Sequence, residues 1–193
     1  MSEYRKLRFR ITGVCPLLMH NSRLADPLDE HTQQIAELTG KQKKTIADHL
    51  RVAELEWRGG LYLWQGAPCI PAEMMEGALL QAAKAGRKGP RAKAGLIIAH
   101  NLPLEYEGER DPDAMWASGG FRLRCAVRVK TARVIRTRPK FDAWAANVVV
   151  DFVPSLLDPA DVRRFMTLAG EQVGLGDWRP RFGRFWTDDG VLE

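Results

Sequence analysis

The sequence predicts an α+β fold whose core runs strand, helix, strand, strand, helix, strand. Three observations carry that expectation. Lys6 to Gly13 alternates strictly, with Leu7, Phe9 and Ile11 on one side and Arg8, Arg10 and Thr12 on the other, the period of a half-buried strand. Cys125 to Lys130 repeats the alternation, Val127 and Val129 toward a core and Arg128 and Lys130 away from it. Asp158-Pro159 opens a helix with a capping carboxylate and a proline at the first position. Its apolar face is Val162, Phe165, Met166, Ala169 and Val173.

Taken in order, the first strand breaks at Pro16 and Asn21-Ser22. Thr32 to Trp57 is helical, with Ile46, Leu50, Ala53 and Trp57 as its stripe, and Gly40-Lys41 divides it into two helices. This polar stretch reads as a helical insertion at about residues 21–58, on the edge of a single domain spanning 1–193. Gly59-Gly60 opens a short strand, Leu61 to Trp64, closed by Gln65-Gly66. Pro71 starts a helix that buries Met75, Ala78, Leu79 and Ala82. Gly86 to Gly95 reads as a mobile basic loop, Leu96–Ile98 and Leu102–Tyr106 as short strands, and Asp111 to Gly120 as a loop. Phe121 to Ile135 is a long strand, Arg136 to Phe141 a turn, and Trp144 to Val153 its partner strand. After the capped helix come a glycine-rich loop and a closing strand, with Phe185 directed to the core.

Without its insertions this order is the ferredoxin-like or RRM arrangement, in which the first and third core strands are central neighbours. Strand parity then places Arg8, Arg10, Arg128 and Lys130 together on the open sheet face, a surface suited to a phosphate backbone.

Composition excludes several classes. Apolar content of 45% and charged content of 27% are those of a globular protein. No run approaches the roughly 18 apolar residues of a spanning helix, so no membrane partner is expected. The N-terminus lacks the apolar centre of a signal peptide. Cys15, Cys69 and Cys125 are odd in number and widely spaced, which suits core thiols in a reducing, cytoplasmic compartment. No His or Cys pair has ligand spacing, so neither metal nor cofactor is expected. The net charge of +5 is uneven. Residues 121–140 hold Arg122, Arg124, Arg128, Lys130, Arg133, Arg136, Arg138 and Lys140 with no acid, the footprint of a polyanion partner. The plainer alternative is a solvated positive face.

The densest chemistry lies at Gly174-Leu175-Gly176-Asp177-Trp178-Arg179-Pro180-Arg181-Phe182-Gly183-Arg184. Glycines let a ligand approach the backbone, Arg179, Arg181 and Arg184 offer planar forks for phosphate, and Trp178 and Phe182 offer faces for bases. The competing reading is a structural helix-to-strand connection. Arg133, Arg136 and Arg138 sit in a second candidate, a finger-like turn from Arg133 to Lys140 anchored by Phe141 and Trp144.

Three of these stretches resemble the RAMP superfamily, and within it the backbone subunits of CRISPR effector complexes. Gly13-Val14-Cys15-Pro16-Leu17-Leu18 resembles the end of that family's first strand, a glycine followed by Pro-Leu. Ile70-Pro71-Ala72-Glu73-Met74-Met75-Glu76-Gly77-Ala78-Leu79 resembles its helix start, and Gly174 to Phe185 its glycine-rich loop. Glu73 and Glu76 stand where the family has a small hydroxyl residue and a lysine, and the chain is shorter than the usual backbone subunit. It therefore resembles a minimal relative of the kind a phage or other mobile element encodes. The resemblance implies a non-catalytic protein that coats single-stranded RNA, or single-stranded DNA, as a head-to-tail array.

Two other classes stay open. Some RAMP proteins are metal-independent endoribonucleases; here His20 is the candidate general acid or base, with Tyr62 or Lys44 as helpers. His20, His31, His49 and His100 nevertheless show no motif spacing. Alternatively the chain is a protein-interaction subunit or an inhibitor of a CRISPR complex, with Trp57, Trp64 and Trp116 as anchors.

Overall fold

A computed structural model describes residues 4–129 and 131–193. The elements begin with β1 (Arg5–Gly13), β2 (Leu17–Leu18), α1 (Glu30–Gly40), α2 (Ile46–Gly60), β3 (Leu63–Trp64), β4 (Ala67–Ile70), α3 (Ala72–Ala85) and α4 (Gly89–Gly95). Then come β5 (Leu96–Ile97), β6 (Leu102–Pro103), α5 (Pro112–Ser118), β7 (Arg122–Val129), β8 (Ala132–Phe141) and β9 (Ala145–Phe152). The chain ends with α6 (Pro159–Leu168), β10 (Phe185–Thr187) and β11 (Val191–Leu192). It divides into two units, one of residues up to 17, 63–107 and 142–193, the other of 18–62 and 108–141.

In the first unit the sheet order is β10-β1-β9-β5, with β11 also on β1, and every pairing is antiparallel. The strict alternation of β1 dictates its place. Leu7, Phe9 and Ile11 are buried, in register with Val150, Val148 and Ala146 of β9, which are buried too. Burying one such side chain contributes about 1.5–3 kcal/mol, so both strands belong at the centre of the sheet. α3 packs on α6, and Met75, Ala78, Leu79, Val162, Phe165 and Met166 complete the core. α6 runs into one wide turn, Ala169–Val173. There an added Cβ on Gly170 would meet the Phe185 carbonyl at 2.2 Å, so only glycine lets β10 pass. A side sheet has the order β3-β4-β6, its first hairpin closed by Gln65 and Gly66 at φ 52° and 80°, as a two-residue hairpin loop requires.

In the second unit α1 packs against α2, and α2 against β8. The sheet order is β2-β8-β7. Asp29 caps α1, and Thr45 with Asp48 forms a capping box on α2, which satisfies amides that a helix start leaves unpaired. Trp57 is fully buried, its indole donating to the Phe121 carbonyl at 2.7 Å.

Several expectations need correction. The neighbour of β1 is β9, not the strand over 121–130, which pairs with β8 in a separate sheet. The reason is burial: β9 carries a fully buried row, whereas Leu123, Cys125 and Val127 are only half-buried. The strand that holds Arg128 therefore does not join Arg8 and Arg10 in the sheet of β1, and Lys130 lies outside the described residues. Arg136 to Phe141 is strand rather than turn, and Val129 stands opposite Ala132 in the register. Gly59-Gly60 ends α2 instead of opening a strand. The expected basic loop contains α4, with Pro90 in its first turn and Ala92 buried. The expected loop after Asp111 contains α5, capped by the Asp111 carboxylate and ended by Gly119 at φ 75°. In α2 the stripe shifts, Ile46 and Leu50 being 81% and 58% exposed, because β8 packs on the side holding Glu56 and Trp57.

Candidate nucleic-acid interface

The glycine loop is tied shut by its own backbone. Gly174, Gly176 and Gly183 take φ of 73°, 74° and 75°. Leu175 N donates to the Gly183 carbonyl and Gly183 N to the Pro16 carbonyl, both at 2.9 Å. The amide of Gly174 donates to the Ala169 carbonyl at 2.8 Å, that of Gly176 to Met74 Sδ at 3.2 Å and that of Arg184 to Cys15 Sγ at 3.3 Å. With these amides occupied, the loop turns side chains outward. Trp178 is 45% exposed, its ring 5.6 Å from that of half-buried Phe182 and 5.6 Å from the Arg181 guanidinium. Arg179, Arg181 and Arg184 are exposed, and no ion pair engages them among the described residues. Phe185 is buried, as its strand parity predicts.

The open face of the first sheet is charge-compensated. Arg10 holds Glu105 through two contacts of 2.6 Å, and that hydrogen-bonded guanidinium keeps the Glu105 carboxyl below its usual range. Arg8 lies 2.9 Å from Glu193, and Lys6 3.7 Å from Asp151. The Asn147 amide adds a hydrogen bond to Glu105 at 3.0 Å. A phosphate would have to displace these carboxylates to reach Arg8 or Arg10.

The second unit offers the β7–β8 hairpin. Arg124 and Arg133 are exposed and without an ion pair among the described residues, and Arg128 stands opposite Arg133 in the register. Arg122 lies 4.6 Å over the Trp116 ring, a cation–π contact. Arg136 pairs with Glu56, whose other oxygen accepts from Thr137 N at 2.9 Å. Arg138 is buried. Phe141 anchors the hairpin's base with its ring 5.8 Å from Phe121, whereas Trp144 belongs to the first unit, donating to the Cys15 carbonyl at 2.9 Å.

His20 is exposed, and its carbonyl accepts the Tyr62 hydroxyl at 2.9 Å. Lys44 donates to the Lys41 carbonyl. Burial pushes the His31 imidazole below its ordinary value, and its Nδ1 has no hydrogen-bond partner among the described residues. No group of three or more His, Cys, Asp or Glu residues among those described is placed to hold a metal, and no described helix is long and apolar enough to cross a membrane. Of the aromatic anchors, Trp57 is buried, while Trp64 is 36% exposed.

Sequence reasoning missed the carboxylates. Glu105 meets Arg10 across 95 residues and Glu56 meets Arg136 across 80, separations at which no spacing rule operates. Arg124 was visible only as a member of the basic run. Compared with known proteins, the chain matches no protein-family model and no curated protein.

Proposed function

We propose that the protein binds single-stranded nucleic acid, RNA in preference to DNA, mainly through phosphates, and coats the strand without cutting it. The observation that carries this reading is the outward face of the glycine loop: Trp178 and Phe182 side by side, with Arg179, Arg181 and Arg184 in no ion pair among the described residues. Rings of this kind stack on any base, and guanidinium forks bind phosphate without reading sequence. The β7–β8 hairpin, with Arg124 and Arg133, is the second surface. Arg8 and Arg10 contribute less, because each already faces a carboxylate.

The strand order β10-β1-β9-β5, with α3 and α6 in the connections, supports a ferredoxin-like core of the RAMP kind, its third strand supplied by β9. The array of subunits along the strand follows from that resemblance.

Fluorescence anisotropy with labelled single-stranded RNA and DNA over a salt series tests the reading. Each neutralised phosphate contributes about −0.7 to the slope of log K against log salt. Replacing Arg124 and Arg133 together by alanine is expected to flatten the slope by about 1.4 with the fold intact. An unchanged slope removes the hairpin from the interface, and no salt-dependent binding by the wild-type chain overturns the proposal. Labelled RNA is expected to stay whole with and without magnesium; cleavage lost in His20→Ala would restore the nuclease reading.

A further inference from the structure

The corner between α3 and α4 gathers cations that neither the glycine loop nor the β7–β8 hairpin uses. Lys84, Arg87, Arg91 and Lys93 are exposed and in no ion pair among the described residues, while Lys88 is neutralised by Asp161 of α6. The corner is built into the fold: α4 packs on α3, and Ala82, Ala83 and Ala92 are buried. Like charges held on so short a stretch of backbone repel one another, and a bound polyanion relieves that repulsion.

The backbone keeps one of these cations where glycine would sit more easily. Lys88 N donates to the Ala83 carbonyl and Arg87 N to the Lys84 carbonyl, both at 3.0 Å, the paired bonds that end a helix in a left-handed residue. That residue is usually glycine; here it is Arg87, at φ 57°, a conformation unfavourable for an L side chain. Residues 84–95 contain no aromatic and no large apolar side chain. A single-strand site offers rings on which bases stack, and a membrane-surface helix offers an apolar face; this stretch has neither. What remains is recognition of phosphates alone, which carries no base information and suits a duplex, with one charge per about 1.7 Å of axis. The corner is also set apart from the glycine loop. Gly176 N bonds Met74 Sδ near the start of α3, the cations lie at its end, and its 14 residues make a helix about 20 Å long. Exposed Glu73 and half-buried Glu76, on the same helix, would repel a strand laid along it from one site to the other.

We propose that the α3–α4 corner binds the phosphate backbone of a nucleic-acid duplex through Lys84, Arg87, Arg91 and Lys93, so that one chain holds a duplex here and a single strand at the glycine loop. The duplex contact stands independently of the loop; the bridging of two segments rests on the loop's reading as a strand site.

Fluorescence anisotropy of a labelled blunt DNA duplex with the full chain, over a salt series, tests it. Each phosphate neutralised on a duplex contributes about −0.9 to the slope of log K against log salt. Lys84→Gln, Arg87→Gly and Arg91→Gln combined are expected to flatten that slope by about 2.7, with folding followed by circular dichroism. Arg87→Gly alone is expected to hold or raise the midpoint of urea unfolding while weakening duplex binding, as a charge kept for a ligand does and one kept for the fold does not. Trp178→Ala is expected to weaken single-strand binding and leave duplex affinity unchanged. Immobilised single-stranded RNA loaded with the chain is expected to capture the labelled duplex, and the triple variant to lose that capture. No duplex binding by the folded wild-type chain overturns the proposal. So does a slope that the folded triple variant leaves unchanged, duplex binding lost in Trp178→Ala, or a urea midpoint that falls in Arg87→Gly with duplex binding intact. Retention on vesicles of phosphatidylserine and phosphatidylcholine without duplex binding assigns the corner to a membrane and overturns it too. Both bindings present without capture overturns the bridging. Duplex binding that the triple variant weakens, with single-strand binding absent, upholds the corner while the loop's reading fails.

Discussion

At Gly183 a φ of +75° coincides with a backbone approach so close that an added Cβ would lie 1.8 Å from the Leu175 carbonyl oxygen. Both the conformation and the space demand glycine. Gly183→Ala is expected to destabilise the chain by at least about 2 kcal/mol in urea unfolding, and to lower nucleic-acid affinity as the loop opens. Unfolding indistinguishable from wild type would refute the locked loop. His31 supplies a pH signature. Burial holds its imidazole below the ordinary 6.5, so the folded chain keeps it neutral while the unfolded chain takes up the proton first. Stability is thus fully present above about pH 6.5 and lost as the pH falls below it; His31→Gln is expected to remove that part of the acid slope. Burial also pushes the Cys69 thiol up to about 11. Iodoacetamide at neutral pH is therefore expected to label Cys69 far more slowly in the native than in the denatured chain, because the thiolate is the nucleophile. At this scale the sequence was legible where one strand's own pattern decides burial, as at Leu7, Phe9 and Ile11. It was illegible where a charge finds its partner through the fold, as Arg10 finds Glu105.

Among the elements, α6 and β1 were legible because each carries its full signal locally: Asp158, Pro159 and a repeating apolar face in one, strict alternation in the other. α5 carries a start and a stop, Asp111-Pro112 and Gly119, but its seven residues are too few for a period to emerge. The β7–β8 hairpin was misread for a different reason. Alternation identifies a strand without naming its partner, and Pro139 is unusual in a strand because it cannot donate to a ladder. Here its carbonyl still accepts the Met19 amide at 3.0 Å, so only one donor is lost. The glycine loop was found by composition, whereas the occupation of its amides was not, since Pro16, Met74 and Cys15 reach it from far along the chain. If its outward face stacks on bases, Trp178→Ala is expected to cost about 1–3 kcal/mol of binding without shifting the melting temperature. Unchanged affinity would leave the loop as a connection only.

For the whole molecule, the reading as a strand-coating protein predicts binding whose stoichiometry grows with oligonucleotide length. Heterologous contacts that do not close a ring give open arrays. Light scattering or electron microscopy on strands of graded length is expected to show lengthening, cooperative assemblies. One chain per strand, whatever the length, would reduce the protein to a single binding module. The strand order of the first unit bears on a different property. β1 draws its ladder partners from β9, β10 and β11, and the residues between include both stretches of the other unit. During synthesis the apolar row of Leu7, Phe9 and Ile11 emerges early and waits for Ala146, Val148 and Val150. Pairings this distant in sequence close slowly, and a waiting apolar strand is open to aggregation. The nascent chain should therefore depend on chaperones until β9 has left the ribosome, and the second unit, whose hairpin is local, should acquire protease resistance first.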